Sequence, residues 1–264
     1  GRKISLTNPT YIIAELGVNH EGDLEVCKKM IIEAANSGVD AVKLQTFDPK
    51  EHYTPDTKSY EIFKKTSFNY SQIQSLFRLA KKLKIDIFST CGDKKTIDQI
   101  QKLNPVAYKI SSGMIEHFPI IKYLCSKKKP LIVSTGMAET PKITKVVNLL
   151  KKNKVENFCL LHCVSIYPAP QKSLNLLCIK TLYEKYKVPI GFSDHSIGGN
   201  AVEIAVSLGA RIIEKHFTLD KKRLGFDHKI SMIPVEFKKM INKVRSIEQT
   251  LGTGKKVLSK DEFL

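Results

Sequence analysis

Residues 11–46 have the sequence YIIAELGVNHEGDLEVCKKMIIEAANSGVDAVKLQT, which contains the clearest evidence for the fold. It opens with a short apolar run at 11–14 and closes with another at 41–44, as buried strands do. Between them, residues 24–37 place apolar side chains at three- and four-residue steps, which predicts an amphipathic helix that ends at Gly38. A strand, a helix and a second strand in this order predict a parallel β-α-β unit.

The same alternation continues along the chain. Short apolar runs occur at 11–14, 41–44, 86–88, 107–110, 131–133, 158–161, 189–192 and 211–213. Amphipathic stretches occur at 24–37, 70–83, 94–103, 117–126, 141–152, 200–207 and 234–251. Strand and helix in strict alternation imply parallel strands with right-handed crossovers, and the length suits a closed α/β fold, the (β/α)₈ TIM barrel. A doubly wound open sheet is disfavoured because no Gly-x-Gly-x-x-Gly turn follows the first run.

The pattern predicts one catalytic barrel domain at 1–251 and the start of a linker or C-terminal tail at 252–264. Residues 46–69 form the longest stretch without a clear period. Because long loops in compact domains commonly carry function, we expect an active-site loop there.

Composition excludes several classes of protein. With 42% hydrophobic residues the chain is not disordered, and no apolar run approaches the roughly 18 residues of a membrane span. Six cysteines without a Cys-x-x-Cys pair are too sparse for a disulfide scaffold, which predicts a cytoplasmic protein. The net charge of +17 comes mostly from lysines at helix-surface positions, so we expect a solvated basic surface and no nucleic-acid partner.

Polar residues stand where nearly every predicted strand ends, which is where barrel enzymes build their active sites. In chain order they are Glu15; Lys43 and Gln45; Ser89 and Thr90; Lys109, Ser111 and Ser112; Ser134 and Thr135; His162, Ser165 and Tyr167; Ser193, Asp194 and His195; Glu214, Lys215 and His216. Because residues two apart on a strand share a face, Lys43 with Gln45 and Glu214 with His216 are expected to point into the barrel mouth, and Lys215 toward the helices.

Two kinds of binding site follow from these positions. Lys43 and Lys109, among the hydroxyls of neighbouring strands, would bind a phosphate together with a carboxylate. His195 and His216 end adjacent strands and could share a metal ion. The residues alone leave the plainer interpretations open, in which each hydroxyl caps a helix and each histidine forms a hydrogen bond at a strand end.

Several motifs resemble the N-acetylneuraminate (sialic acid) synthase family, which includes pseudaminic acid, legionaminic acid and spore-coat polysaccharide synthases. They are IIAELGVNHEG at 12–22, VKLQT at 42–46, YKISSG at 108–113, STGM at 134–137, YPAP at 167–170, GFSDH at 191–195 and EKHFT at 214–218. They run in the family order across almost the whole chain.

The resemblance implies a transferase that condenses phosphoenolpyruvate with an acetamido sugar aldehyde, giving a nine-carbon keto acid and phosphate. It implies His195 and His216 as ligands of a divalent metal, Mn²⁺ or else Mg²⁺ or Co²⁺. The implied phosphoenolpyruvate pocket comprises Lys43, Thr90, Lys109, Ser112, Ser134 and Ser193. The implied sugar-facing residues are Glu15, Gln45, Tyr167 and Asp227, with Ser165 where bacterial sialic acid synthases often have Asn. Glu15, Asp227 or Glu214 would handle the proton.

Two further departures from the family affect what we expect. Cys91-Gly92 stands where Pro-Phe is common, so the identity of the acceptor stays open. Family members usually continue into an antifreeze-like domain that supplies an arginine to the partner's sugar site. We expect this chain to lack that domain, and we expect a homodimer where a longer form of the protein carries it.

Three other functions remain open at the level of sequence. A barrel aldolase could form a Schiff base with Lys43 or Lys109. The barrel could also bind sugar phosphates without catalysis. Nucleic-acid binding by the basic surface fits least well, because recognition of phosphate and guanine prefers arginine to lysine.

Overall fold

The computed structural model describes residues 3–5, 7–225, 227–256, 258 and 262. Within them, parallel strands pair in sequence order and the first also pairs with the last, so the sheet closes. The strands are β1 (Tyr11–Gly17), β2 (Ala41–Thr46), β3 (Asp86–Cys91), β4 (Tyr108–Ile110), β5 (Leu131–Ser134), β6 (Phe158–Cys163), β7 (Ile190–Asp194) and β8 (Ile212–His216). The predicted TIM barrel is confirmed and the open sheet is excluded, because a closed sheet has no unpaired edge.

Helices surround the barrel. They are α1 (Leu24–Asn36), α2 (Pro49–His52), α3 (Lys58–Thr66), α4 (Tyr70–Lys82), α5 (Lys94–Lys102), α6 (Phe118–Ser126), α7 (Thr140–Lys152), α8 (Cys178–Tyr186), α9 (Asn200–Ser207) and α10 (Pro234–Leu251). Within the described part of the chain, no helix combines the length and apolarity that crossing a bilayer requires.

Local chemistry explains why α1 begins and ends where it does. The Asp23 side chain accepts hydrogen bonds from the backbone N–H groups of Glu25 and Val26, which caps the helix start. Gly38 follows the helix with φ 90°, a backbone conformation that residues other than glycine rarely adopt. The buried face consists of Cys27, Met30, Ile31 and Ala34. These residues pack between the barrel and the helix layer.

Side-chain alternation along the strands places the charged residues at one end of the barrel interior. On β1, Ile12 and Ala14 pack toward the helices, whereas Ile13 lies inside the barrel with Phe88 and Ile132. Glu15 is two residues beyond Ile13 and therefore faces the same interior, nearer the carboxyl ends of the strands. The apolar interior thus closes the barrel below a polar mouth.

The structure corrects three details of the sequence analysis. Residues 46–69 are not irregular throughout, because α2 and α3 lie within them. Helix α8 had no predicted counterpart. Strands β3 and β8 continue three residues beyond the predicted 86–88 and 211–213, so polar residues expected after the strands still pair within the sheet. Helix α10 ends at Leu251, and residues 257, 259–261, 263 and 264 of the predicted tail lie outside the described residues.

Candidate active site

A cavity of about 520 Å³ opens at the carboxyl ends of the strands. It brings together all of the predicted site residues except Asp227. Those that line it are Glu15, Lys43, Gln45, Thr90, Lys109, Ser112, Ser134, Ser165, Tyr167, Ser193, His195, Glu214 and His216. Because they come from all eight strands or the loops after them, only the closed barrel brings them into one site.

Alternating positive and negative charges cover the floor of the cavity. Lys43 forms an ion pair with Glu15 and lies 3.9 Å from Glu214 Oε2, and Lys109 Nζ lies 3.3 Å from Glu214 Oε1. Lys43 Nζ also donates a hydrogen bond to Thr90 Oγ1 at 3.0 Å. All four charged side chains are at least nine-tenths buried. Buried charges interact more strongly than exposed ones, so these four side chains hold one another in place at the floor.

The two acidic residues of the floor differ in their protonation. Burial raises the pKa of Glu15 above its usual value. Burial acts in the same direction on Glu214, but Lys109 and Lys43, with a hydrogen bond from Ser193 Oγ at 2.9 Å, lower its pKa to about 2. One carboxyl group therefore takes up a proton more readily while its neighbour stays ionised. Such opposite shifts commonly separate proton carriers from charge stabilisers.

Besides the carboxylate atoms Glu15 Oε2 and Glu214 Oε2, which face Lys43 in ion pairs, two polar atoms at the site are buried without a hydrogen-bond partner among the described residues. They are Ser134 Oγ and His216 Nδ1. An unsatisfied buried polar atom costs free energy, and a bound ligand or ion can supply the missing partner. Both atoms therefore fit residues that contact a ligand.

His195 and His216 lie side by side, with ring centroids 5.5 Å apart. The Nδ1–H of His195 donates to the carbonyl oxygen of Val164 at 2.8 Å, which leaves Nε2 with its lone pair. Burial lowers the pKa of His216 well below its usual value, so its imidazole is neutral. Burial also lowers the pKa of His195, but the contacts with Cys163 and the Val164 carbonyl raise it above its usual value. Neutral imidazoles are the form that binds metal ions, so a metal ion would have to displace any proton on His195.

A metal held here would need further ligands. Among the described residues, no group of three or more His, Cys, Asp or Glu side chains is arranged to hold an ion. Two imidazoles leave several coordination positions for water or substrate, which is the pattern of a catalytic site more than of a structural one.

Asp227 lies in the loop after β8, beside the histidines. Its Oδ2 is 3.5 Å from His216 Nδ1, and its backbone N–H donates to Asn19 Oδ1 at 3.1 Å. Asn19 in turn donates to Ser231 Oγ at 2.9 Å and so fixes this loop against the loop after β1. Burial raises the pKa of Asp227. Sequence reasoning missed the role of Asn19, because its partners lie about two hundred positions away.

Tyr167 forms one side of the cavity. Its ring stacks on His195 with centroids 4.1 Å apart, and about half of its surface remains exposed to the cavity and solvent. Ser165, two residues before it, also lines the cavity. These two side chains follow β6, in keeping with the predicted position at the strand end.

The structure adds residues that sequence reasoning did not assign to the site. Cys163 Sγ accepts a hydrogen bond from Ser112 Oγ at 3.4 Å and lies 3.8 Å from His195 Nδ1. Four aromatic side chains of the segment after β2 line the opposite side, namely Phe47, His52, Tyr53 and Phe63. The length of the segment signalled an active-site loop, but its sequence did not indicate which side chains face inward.

Comparisons with known proteins agree with this geometry. Residues 30–256 match the model of the NeuB family. The N,N'-diacetyllegionaminic acid synthase of Campylobacter jejuni is 41% identical, over 96% of this chain and 80% of that protein. The human N-acetylneuraminate-9-phosphate synthase is 34% identical, over 98% of this chain and 76% of that protein.

A solved structure supports the same assignment. The N-acetylneuraminic acid synthetase of Leptospira borgpetersenii, crystallised in complex with citrate, superposes with a TM-score of 0.93 at 35% identity, covering 97% of this chain and 90% of that one. The expectation of an enzyme of the sialic acid synthase type is therefore confirmed. The arrangement of the site, the family match and these relatives lead to one conclusion: the chain belongs to the NeuB family.

Proposed function

We propose that the chain condenses phosphoenolpyruvate with an acetamido sugar aldehyde to give a sialic-acid-like nine-carbon keto acid and phosphate. The observation that carries the proposal is the pair of buried lysines, Lys43 and Lys109, at the floor of a cavity that also holds two adjacent histidines. The names of the relatives support it, since they are synthases of this class of sugar acid.

Phosphoenolpyruvate carries a phosphate and a carboxylate, and the proposed pocket offers donors for both. Lys43 and Lys109 supply charge, and Thr90, Ser112, Ser134 and Ser193 supply hydroxyl groups around them. Ser134 Oγ is an unused buried donor that the substrate would satisfy. Charge-assisted hydrogen bonds of this kind are stronger than neutral ones, which suits binding of a small anion without a Gly-rich loop.

The acceptor aldehyde would lie next to His195 and His216, which we propose hold Mn²⁺, with Mg²⁺ and Co²⁺ as the other candidates. A divalent ion bound there would polarise the aldehyde oxygen as a Lewis acid. Tyr167, Ser165 and Gln45 line the same part of the mouth and would orient the sugar chain. Gln45 Nε2 donates to Glu15 Oε1 at 3.2 Å and so connects the acceptor side to the charged floor.

We propose that acidic residues transfer the protons that the reaction requires. The methylene carbon of phosphoenolpyruvate forms the new carbon–carbon bond with the aldehyde carbon, and the aldehyde oxygen takes up a proton. Water then adds to the carbon that carries the phosphate, which became cationic when the new bond formed, and gives up a proton. The bond from this carbon to the phosphate oxygen breaks, the hydroxyl group loses its proton to the departing phosphate, and the keto group forms. Glu15, whose pKa is raised by burial, is our candidate proton carrier, with Asp227 beside His216 as a second. Glu214 stays ionised and stabilises the positive charge that develops.

For Lys43 the Schiff-base alternative is less well supported by its charged surroundings. An imine-forming lysine must lose its proton, yet Glu15 and Glu214 raise the pKa of Lys43 against the effect of burial. The proposal includes a cytoplasmic location, which the six free cysteines support.

Product analysis tests the proposal. We expect phosphoenolpyruvate, Mn²⁺ and either N-acetylmannosamine or a diacetamido hexose to give one phosphate per molecule of keto acid, detected by mass spectrometry, and EDTA to stop the reaction. Trapping of pyruvate on the protein by borohydride would support the aldolase instead. Binding of phosphoenolpyruvate without any phosphate release would support a non-catalytic barrel.

A further inference from the structure

Four aromatic rings form a wall on one side of the cavity that the proposed chemistry does not use. Phe47, His52, Tyr53 and Phe63 all line the cavity, and we call them the aromatic wall. They come from the segment between β2 and α4, which includes α2 and α3.

The four rings of the aromatic wall pack on one another in a cycle. His52 stacks on Phe47, with centroids 4.7 Å apart and planes 6° apart, and meets Tyr53 edge-on at 4.8 Å. Phe63 stacks on Tyr53 at 5.0 Å and meets Phe47 edge-on at 5.0 Å. Each ring thus contacts two others. A ligand would meet a surface that is already ordered, which lowers the entropic cost of binding.

Gly92 makes room for the aromatic wall. A Cβ atom at this position would lie 2.7 Å from His52 Nδ1 and 2.8 Å from His52 Cε1, and it would also collide with Phe47. Any side chain larger than hydrogen would therefore displace the His52 ring. The departure at Cys91-Gly92 thus has a structural consequence, because the imidazole of His52 occupies the space that a side chain at 92 would need.

The aromatic wall is uncharged and follows β2, across the barrel from Tyr167, which follows β6. Burial lowers the pKa of His52, so its ring is neutral at pH 7. The strands close in sequence order, which places β2 and β3 opposite β6 and β7. The wall therefore faces the side of the cavity that Tyr167 and His195 line. An uncharged aromatic surface suits apolar carbon atoms and is a poor partner for a phosphate.

We propose that the aromatic wall selects the acceptor, by contacting its apolar carbon groups, such as an acetamido methyl or a deoxy carbon, at the end remote from the aldehyde. This inference rests on the proposed function and adds which part of the cavity discriminates among acetamido sugars. It assigns His52 and Tyr53 as specificity-determining residues, since both are only half-buried and present their rings to the cavity.

Steady-state kinetics with two acceptors test the inference. N-acetylmannosamine and a diacetamido-trideoxy hexose differ in the number of apolar groups they present. We expect His52→Ala and Tyr53→Ala each to raise the KM of the preferred acceptor by about tenfold, since loss of one apolar contact is worth that much, with the KM of phosphoenolpyruvate within about twofold of wild type. Tyr53→Phe keeps the ring, so its acceptor KM is expected to rise less than that of Tyr53→Ala.

The matched control is Tyr60→Ala, which removes an aromatic side chain from α3 outside the cavity and should change neither constant. The inference is overturned if the wall variants leave both acceptor constants unchanged, or if they raise the phosphoenolpyruvate constant equally. If the wild-type chain releases no phosphate with any acceptor, the proposed function and this inference are both overturned. If the wild-type chain is active but the wall variants behave like it, only this inference is overturned.

Discussion

Two clusters of buried charge lie on opposite sides of the same barrel strands. Inside the mouth are Lys43, Lys109, Glu15 and Glu214. Outside, between the strands and the helices, Lys215 Nζ lies 2.6 Å from Asp194 Oδ2 and donates a second hydrogen bond to the carbonyl oxygen of Ser196. We call these the inner and outer clusters.

The clusters differ in how fully their atoms are paired. In the outer cluster the second carboxylate oxygen of Asp194 also accepts a hydrogen bond, from the backbone N–H of Ser196 at 2.8 Å. The inner cluster borders an open cavity, and near it Ser134 Oγ and His216 Nδ1 lack partners among the described residues. Full pairing indicates a structural role, and unused donors indicate a binding role. Each prediction below tests this contrast.

The largest expected effect concerns the histidines beside the inner cluster. His195→Ala and His216→Ala should each lower Mn²⁺-dependent phosphate release by more than about a hundredfold. Mutating even a residue that only hydrogen-bonds to a metal-binding histidine commonly lowers metal affinity or activity by about ten- to a hundredfold. Phosphate release measured over a Mn²⁺ titration checks this.

A matched control uses a histidine that faces away from the mouth. His162 Nε2 lies 2.6 Å from the carbonyl oxygen of Leu174 and does not line the cavity. His162→Gln should leave the Mn²⁺ dependence intact. Full activity of either alanine variant in EDTA would contradict the assignment of a metal site.

The outer cluster should matter for stability. Lys215→Met leaves the fully buried Asp194 carboxylate without its counter-ion, and we expect a loss of about 3–5 kcal/mol in the free energy of unfolding. Urea denaturation measures it. Adding Asp194→Asn, which keeps an acceptor for the Ser196 amide, should recover part of the loss. A loss below about 1 kcal/mol, the value of a surface ion pair, would contradict the structural role.

His20 extends the contrast to a buried group that is kept neutral. It is 2% exposed and stacks on Phe68 at 4.4 Å, and burial lowers its pKa from 6.5 to about 4. Because its pKa is lower in the folded state, its contribution to stability is complete above pH 6.5 and is lost as the pH falls through 4. The loss amounts to about 3 kcal/mol.

The variant His20→Asn keeps an acceptor for the backbone N–H of Gly22 but cannot become charged. Its free energy of unfolding should fall less steeply than that of the wild type between pH 6.5 and 4. Urea denaturation at several pH values gives both curves. Parallel curves would show that His20 does not titrate in this range.

The sequence predicts which charged residues lie in the inner and outer clusters better than it predicts the aromatic wall. Alternation along a strand is local, so it placed Glu214 and His216 inside and Lys215 outside, and the structure agrees. The contact of His52 with Phe47 and the space left by Gly92 depend on tertiary packing, and no local pattern encodes them.

Helix α8 was missed for a local reason. It begins after Leu177, which makes no side-chain capping hydrogen bond. It ends at Tyr186 and is followed by Lys187 with φ 55°, a position where glycine is the usual residue. The normal signals for the start and the end of a helix are therefore both absent. Packing of Ile179 and Leu182 against the barrel forms the helix instead.

The most direct measurement is calorimetric titration of phosphoenolpyruvate into the wild-type chain, Lys109→Met and Lys215→Met. Lys109→Met should lose about 1.5–3 kcal/mol of binding, or about ten- to a hundredfold in affinity, yet remain folded, since Glu214 keeps Lys43 and Ser193 as partners. Lys215→Met, titrated where it is still folded, should bind with wild-type affinity. Wild-type affinity in Lys109→Met would contradict the account, because the inner cluster would then not be the anion site.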